Sequence, residues 1–177
     1  MRLIAARGGV TLPTLYHYFG DKRHLYIEAC LSTFGTRAEE GFERYAHEAA
    51  PLQVKLPAFF VGLARELLRN DNFFKLMHRE LIDQNRDGIR ELAERCWKPS
   101  FDALCDDVRP LLREGADPIA TVLAAFALMF GLVEFRRTAP FLHSALANHY
   151  APNPLTLLVL QTVFPGHHWI LPPESSQ

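Results

Sequence analysis

The sequence has little cysteine, and what it has excludes two classes of fold. Cys30, Cys96 and Cys105 are an odd number of thiols at uneven spacings. This pattern excludes a framework of paired disulfides and does not match the ligand spacing of a zinc site. The N-terminus also lacks the apolar run of a secretory signal peptide. We therefore expect ordinary buried thiols in a reducing, cytoplasmic environment.

Long apolar stretches are also scarce. The longest extends from Ile119 to Val133, interrupted only by Thr121 and flanked by Asp117 and Glu134. A membrane-spanning helix needs roughly 20 apolar residues, so we expect no membrane partner. A helix that is apolar on all sides instead indicates burial on every side.

Net charge is nearly absent, with 19 Lys and Arg against 20 Asp and Glu in 177 residues. The balance hides an asymmetry, because residues 1–24 carry a net charge of +3 and the remainder carries −4. The cations at this end are Arg2, Arg7, Lys22 and Arg23, opposed by Asp21. So small an excess weakly favours binding of a polyanion.

Alternating, strand-like patterns are missing, whereas 49% of the residues are hydrophobic and can form a core. We predict an all-α fold. An N-terminal unit of short helices, residues 1–27, includes the start of a long connecting helix. A larger helical unit follows at 28–168, and an irregular tail at 169–177.

Apolar residues recur at helical spacing along most of the chain. After a short helix over Arg2–Arg7, a second is predicted to end near Phe19, and a third to extend from Asp21 towards Pro51. The apolar stripe of the third helix consists of Tyr26, Cys30, Phe34, Ala38, Phe42 and Tyr45. Further helices are predicted at about 53–70, 72–83, 87–114, 118–137 and 155–164, with a kink at Pro99.

Two short helices joined by a glycine-containing turn are predicted at the N-terminal end. Gly8 and Gly9 suit a helix end and a tight turn. Thr11 is a suitable N-cap for the second helix, with Pro13 in its first turn, and Asp21 is a suitable N-cap for the third. This arrangement is typical of the helix-turn-helix, whose second helix enters the major groove of DNA.

The second helix carries a core pair and a polar remainder. Leu15 and Phe19, four residues apart, are predicted to face the first helix. The other side chains offer hydroxyls and an imidazole to DNA, although a cluster of aromatics is also typical of a core. Lys22 lies in the first turn of the third helix, where a cation opposes the helix dipole and a nearby phosphate reverses that penalty. A solvated surface is the alternative interpretation for Lys22 and Arg23.

The strongest pattern in the sequence is one continuous run at its start. Residues 4–22 read IAARGGVTLPTLYHYFGDK. This run resembles the head of the TetR/AcrR family of bacterial transcriptional regulators, whose signature is approximately I-A-x-x-A-G-V-S-x-x-T-L-Y-x-Y-F-x-x-K. The rest of the chain resembles the family only in its size and all-helical layout. The resemblance implies an incomplete helix-turn-helix DNA-binding domain at residues 1–27 and a helical ligand-binding and dimerisation domain at 28–168.

The resemblance implies binding to a pseudo-palindromic operator on double-stranded DNA. It implies phosphate contacts from Thr11 and Lys22, and base or backbone contacts from the second helix. The implied DNA-binding residues are Thr11, Leu12, Pro13, Thr14, Tyr16, His17, Tyr18 and Lys22. Leu12 departs from the family pattern because Lys or Arg is common there, and Gly8 departs because Ala is usual.

A third departure concerns the family's first helix, about twenty residues, which would precede the first residue of this sequence. Because such a helix-turn-helix is a three-helix unit, the departure implies a looser head with reduced or lost affinity for DNA. A truncated start or a misassigned initiator Met is the expected explanation.

The remainder of the chain is predicted to supply a subunit interface and an apolar pocket. The apolar helices at 118–137 and 155–164 resemble the pair that forms the family's four-helix dimer interface, although the core of a monomer is an alternative. An isologous dimer would place both heads on one side, where they would read half-sites about 34–36 Å apart, or a multiple of that distance. The candidate pocket residues are Phe59, Phe60, Leu63, Phe73, Met77, Trp97, Phe101, Phe126, Met129 and Phe130, with His78, Glu134 and Arg137 as polar anchors. Each of these residues could instead be an ordinary core residue. For His78 the alternative is a half-buried histidine that forms a hydrogen bond.

These patterns favour a homodimeric repressor whose operator affinity is lowered by a small apolar effector. One alternative is a helical ligand-binding or interaction dimer without a working DNA-binding head. Another is an enzyme built on a helical bundle. No nucleophile–base arrangement and no phosphate-cradling loop is present in the sequence, so we expect no catalytic residues and no cofactor. His167 and His168 have no further ligand at suitable spacing, so we expect no metal site.

Overall fold

The structure is a computed structural model that describes residues 1–34, 45, 49–82, 86–145 and 150–173. Ala38 and Phe42 of the predicted stripe lie outside the described residues, and so does the side chain of Phe34. Within the described part every regular element is helical and no strand occurs. The prediction of an all-α fold is confirmed.

Short helices at the N-terminus are followed by longer ones. Residues 1–34, here called the head, contain α1 (Arg2–Arg7), α2 (Leu12–Phe19) and α3 (Lys22–Phe34). The described residues from 45 to 173, here called the body, contain α4 (Leu52–Arg69), α5 (Asp71–Ile82), α6 (Arg86–Leu92), α7 (Lys98–Asp107), α8 (Pro118–Phe135), α9 (Ala139–Leu142) and α10 (Pro152–Val163). A π-helical turn (Ala93–Trp97) joins α6 to α7, and a 3-10 turn (Arg109–Leu111) follows α7.

The turns of the head form as their residues predict. The Thr11 hydroxyl accepts a hydrogen bond from the backbone N–H of Thr14 at 3.3 Å, and so caps α2. The Asp21 carboxylate accepts the backbone N–H of His24 at 2.7 Å and caps α3 in the same way. Gly20 between these helices has φ +68°, a conformation that side chains with a Cβ rarely adopt. The predicted N-caps are therefore confirmed.

The prediction of a single helix at 87–114 is wrong. It is interrupted by the π-helical turn because Pro99 has no N–H to donate to the carbonyl of Arg95, and its ring also crowds that carbonyl. The helix then ends at Asp107, because Pro110 likewise cannot donate to a carbonyl in the preceding turn. The disturbance expected at Pro99 therefore takes the form of the π-helical turn, which is a local widening of the helix.

The other boundaries agree more closely. α4, α5 and α8 each begin and end within two residues of the predictions at 53–70, 72–83 and 118–137. α10 begins at Pro152, three residues before the predicted start at 155. Pro152 and Pro154 fit the first turn of a helix, where no intrahelical N–H bond is made.

The core of the body lies among α4, α7, α8 and α10. α10 packs against α4 and α8, and α7 packs against α8. Their fully buried side chains include Phe60, Leu67, Leu104, Met129 and Leu160. Burial of one such side chain contributes about 1.5–3 kcal/mol, so this cluster contributes strongly to the stability.

The segment after α10 folds back onto the core. Trp169 is buried beside Phe164, with ring centroids 6.0 Å apart. The backbone N–H of Ile170 donates to the carbonyl of Gln53 at the start of α4, at 3.0 Å. The described part of the predicted tail, 169–173, is irregular but begins with a core residue.

Candidate nucleic-acid interface

α2 presents most of its side chains to solvent. Leu15 is buried against the rest of the head, as predicted, and Phe19 is half-buried. Tyr16 and Tyr18 are 46% and 74% exposed, and His17 is exposed as well. The alternative interpretation of these three rings as core residues is wrong. Exposed tyrosines place both an aromatic ring and a hydroxyl where another molecule can contact them.

The first turn of α2 adds polar groups to this surface. The hydroxyls of Thr11 and Thr14 lie 2.7 Å apart and form a hydrogen bond with each other. Thr11 and Pro13 are exposed, while Leu12 and Thr14 are half-buried. Because a hydroxyl can accept one hydrogen bond and donate another, Thr11 can cap the helix and still donate to a phosphate.

The start of α3 brings cations to the same end of the molecule. Lys22, Arg23 and His24 are exposed, and the first turn of α3 contains no acidic residue. Arg23 lies 3.8 Å from the carboxylate of Asp87 in α6, whereas none of the described ion pairs involves Lys22. The Lys22 ammonium and the free N–H groups of the helix start are suited to an anion.

Most of the candidate pocket residues meet in the core of the body. Phe59, Phe60, Leu63, Phe126 and Met129 are buried, and Trp97, Phe101 and Phe130 are partly buried against them. Six of them form what we call the aromatic cluster: Phe59, Phe60, Trp97, Phe101, Phe126 and Phe130. Phe126 lies 5.9 Å from Phe60 and 6.0 Å from Phe101 between ring centroids. The side chains of Phe73 and Met77 lie outside the described residues.

The predicted polar anchors lie elsewhere, at the surface where α5 meets the end of α8. His78 Nε2 lies 3.7 Å from Glu134 Oε2, and both side chains are about half-exposed. Arg137 and its neighbour Arg136 both form ion pairs with Asp71 at the start of α5. The structure thus joins these anchors to one another or to Asp71 and does not bring them into the aromatic cluster.

Two buried hydroxyls were not identified from the sequence. Ser100 precedes Phe101 in α7 and is 4% exposed, and Thr156 in α10 is fully buried. Neither hydroxyl has a hydrogen-bond partner among the described residues. Nothing in the sequence distinguishes these two residues from the chain's exposed hydroxyls, because only the packing of α7 and α10 buries them.

α8 exposes an apolar face. Ile119 and Leu123 are both 58% exposed and Phe135 is 59% exposed, and Leu158 of α10 is 48% exposed. With 18 residues and a mean hydropathy of 2.0, α8 also meets the length and composition of a membrane span, and 28% of it is buried. A single helix of this kind is weak evidence for a membrane, because helices inside globular cores meet the same criteria.

The described residues show no group of three or more His, Cys, Asp or Glu that could hold a metal ion. Burial, followed by the charges of nearby carboxylates, raises the pKa of the Cys105 thiol. A thiol with a raised pKa remains protonated near neutral pH and is a poor nucleophile.

Comparison with known proteins identifies the head. Residues 1–29 match the family described as bacterial regulatory proteins, tetR family. No curated protein and no solved structure matches the chain. The match contains α1, α2 and most of α3, and therefore all of the residues assigned above to a DNA-contacting surface. The match over residues 1–29 supports a DNA-binding regulator of the TetR family.

Proposed function

We propose that the protein is a cytoplasmic, homodimeric repressor that releases a pseudo-palindromic operator when an apolar effector binds to its body. One observation carries the proposal. The family-matched segment exposes Tyr16, His17, Tyr18 and Lys22, which have the side-chain chemistry needed to contact DNA. The protein would act as a regulator, with no catalytic step.

The roles within this surface follow from side-chain chemistry. Thr11 and Lys22 would contact phosphates, since hydroxyls and ammonium groups supply most backbone contacts and fix the register. Thr14, Tyr16, His17 and Tyr18 would contact base edges or sugar-phosphate. The Leu12 side chain cannot hydrogen-bond a phosphate, but its methyl groups suit the methyl of a thymine.

The apolar face of α8 is the proposed dimer interface. Exposed residues recur along it at helical spacing, with small Ala120, Ala124 and Ala127 beside the larger Ile119 and Leu123. Small side chains let a second helix approach closely, and large flanking ones bury apolar area. An exposed apolar face of this size is typical of a protein interface. With α10 alongside, it would form a four-helix interface with a second copy.

The aromatic cluster is the proposed effector site. Ligand sites are mostly lined by apolar and aromatic side chains with a few polar groups that fix orientation. The Ser100 hydroxyl next to Phe101 would be such a group. An effector that binds only one arrangement of the body shifts the equilibrium by its difference in affinity for the two arrangements.

A second candidate function is a ligand-binding dimer without a working DNA-binding head. One observation favours it, because α1 exposes apolar side chains, with Leu3 81% and Ile4 47% exposed. A head that leaves such residues uncovered has less apolar burial to hold α2 in position.

Selection from a random-sequence pool of duplexes separates the two functions. A repressor should enrich related sequences with two inverted half-sites, and Tyr18→Ala should lose the enrichment. Tyr150→Ala, a tyrosine change in the body, should retain it. Failure of the wild-type protein to enrich any sequence would favour the second function.

A further inference from the structure

The helical path from α6 to α7 contains one irregular turn. The π-helical turn spans Ala93–Trp97, and Pro99 follows it directly in the first turn of α7. A π turn holds one residue more per turn than an α-helix needs, and such turns occur frequently at functional sites. Pro99 explains why it persists here, because the carbonyl of Arg95 has no N–H at position 99 to bond with.

One side of this turn contacts the head. Arg95 Nη1 donates to Glu28 Oε1 in α3 at 2.7 Å, and it also lies 3.6 Å from Glu91. A second contact from the same part of the chain reaches α3, since Asp87 of α6 lies 3.8 Å from Arg23. α6 and the turn therefore hold α3 through charges on two successive turns of that helix.

The other side of the turn contacts the aromatic cluster. The Trp97 ring lies 6.0 Å from that of Phe130 in α8. Phe130 in turn lies 6.4 Å from Phe126, which contacts Phe101 in α7. The five residues of the turn thus connect the proposed effector site to α3, the helix whose first turn carries Lys22.

We propose that the Ala93–Trp97 turn is a two-register element that positions α3, with Arg95 and Glu28 as the positioning residues. This inference rests on the proposed function and adds how the body acts on the head. In the π register Arg95 meets Glu28. A change to the α register would displace the flanking residues by one position, about 100° around the axis and 1.5 Å along it. Arg95 would then leave Glu28, and α3 would lose its main charged contact with the turn.

The exposure of the pair favours positioning over stabilisation. The Arg95 side chain is 44% exposed and that of Glu28 is 34% exposed, and exposed ion pairs contribute little to folding. Such a contact can still bias the choice between two arrangements, which is what an allosteric element requires.

The first test measures affinity for the duplex enriched by the wild-type protein. Arg95→Gln, Glu28→Gln and the double variant should each weaken binding by the same factor, about fivefold or more. Exchanging the charges, Arg95→Glu with Glu28→Arg, should restore most of the affinity. Lys98→Gln is the matched control, because it removes an exposed ion pair of 2.8 Å with Asp102 that lies within α7. Additive effects of the two single variants, or no effect, would overturn the inference while leaving the proposed function intact.

The second test uses hydrogen exchange measured by mass spectrometry. Binding of the duplex should change exchange at residues 93–97 in the wild-type protein and not in Glu28→Gln. If no duplex binds, the proposed function fails, and Pro99→Ala decides the inference alone. That change restores the missing N–H. As a single change it should alter hydrogen exchange in α3, whereas added to Glu28→Gln it should leave exchange in α3 as it is in Glu28→Gln. Unchanged hydrogen exchange in α3 of the Pro99→Ala variant would overturn the inference.

Discussion

The head and the body of this protein use their side chains in opposite ways. The head buries only Ala5, Leu15, Ile27 and Cys30 among its described side chains, and exposes aromatic rings and cations. The body buries a continuous cluster that involves five helices, Tyr45 and the segment around Trp169. In the head, surface chemistry indicates the function. In the body, burial determines stability, and the exposed apolar residues on α8 support the proposed dimer interface.

The largest expected effect tests the body's share of the stability. Phe60→Ala should lower the free energy of unfolding by about 3–5 kcal/mol, because it removes a fully buried ring and leaves a cavity. Chemical denaturation followed by circular dichroism, at one protein concentration, measures the loss. Phe141→Ala, at a residue 90% exposed, should change stability by less than about 0.5 kcal/mol. Equal losses in both variants would contradict the assignment of the core.

The next effect tests whether the apolar face of α8 is the dimer interface. Leu123→Glu removes an apolar contact worth about 1.5–3 kcal/mol in each subunit and places a charge there. It should therefore convert dimers into monomers, as measured by light scattering. Ile82→Glu is the control, since Ile82 is 78% exposed at the end of α5 and should leave the dimer intact. A monomeric wild-type protein would contradict the proposal.

A smaller effect tests the local origin of the head. Thr11→Ala removes the N-cap of α2 and should destabilise that helix by about 1 kcal/mol. Faster hydrogen exchange in residues 12–19, with unchanged exchange in α4, is the expected result. Thr162→Ala also removes a threonine bond, from its hydroxyl to the Leu158 carbonyl at 2.7 Å, but leaves no cap missing. If the two variants affected α2 equally, the cap would not be what forms the helix.

The same contrast explains what the sequence could predict. Thr11, Asp21 and Gly20 act within a few residues of themselves, so their caps and turn could be predicted from local chemistry. The contact between Arg95 and Glu28 joins residues 67 positions apart and depends on how α6 packs on α3. The π turn was missed for a related reason, since Pro99 predicts a disturbed helix but not how the helix accommodates it.

The smallest effect concerns Ser100. Ser100→Ala removes a buried hydroxyl that has no partner among the described residues. Such groups cost free energy when buried, so the variant should be as stable as the wild-type protein or more stable by about 1 kcal/mol. Ser32→Ala, which removes an exposed hydroxyl bonded to the Ala29 carbonyl at 2.9 Å, should show no gain. A marked loss of stability in Ser100→Ala would contradict this account of the site.

The most direct test of the central claim is the salt dependence of DNA binding. If the exposed surface of α2 and the start of α3 contact the duplex, Lys22→Gln should weaken binding to every sequence. It should also reduce the slope of log K against log salt by about 0.9, the contribution of one phosphate contact. Lys98→Gln in the body should keep the wild-type slope. An unchanged slope in Lys22→Gln, with a reduced slope in Lys98→Gln, would show that DNA contacts the body and not the head.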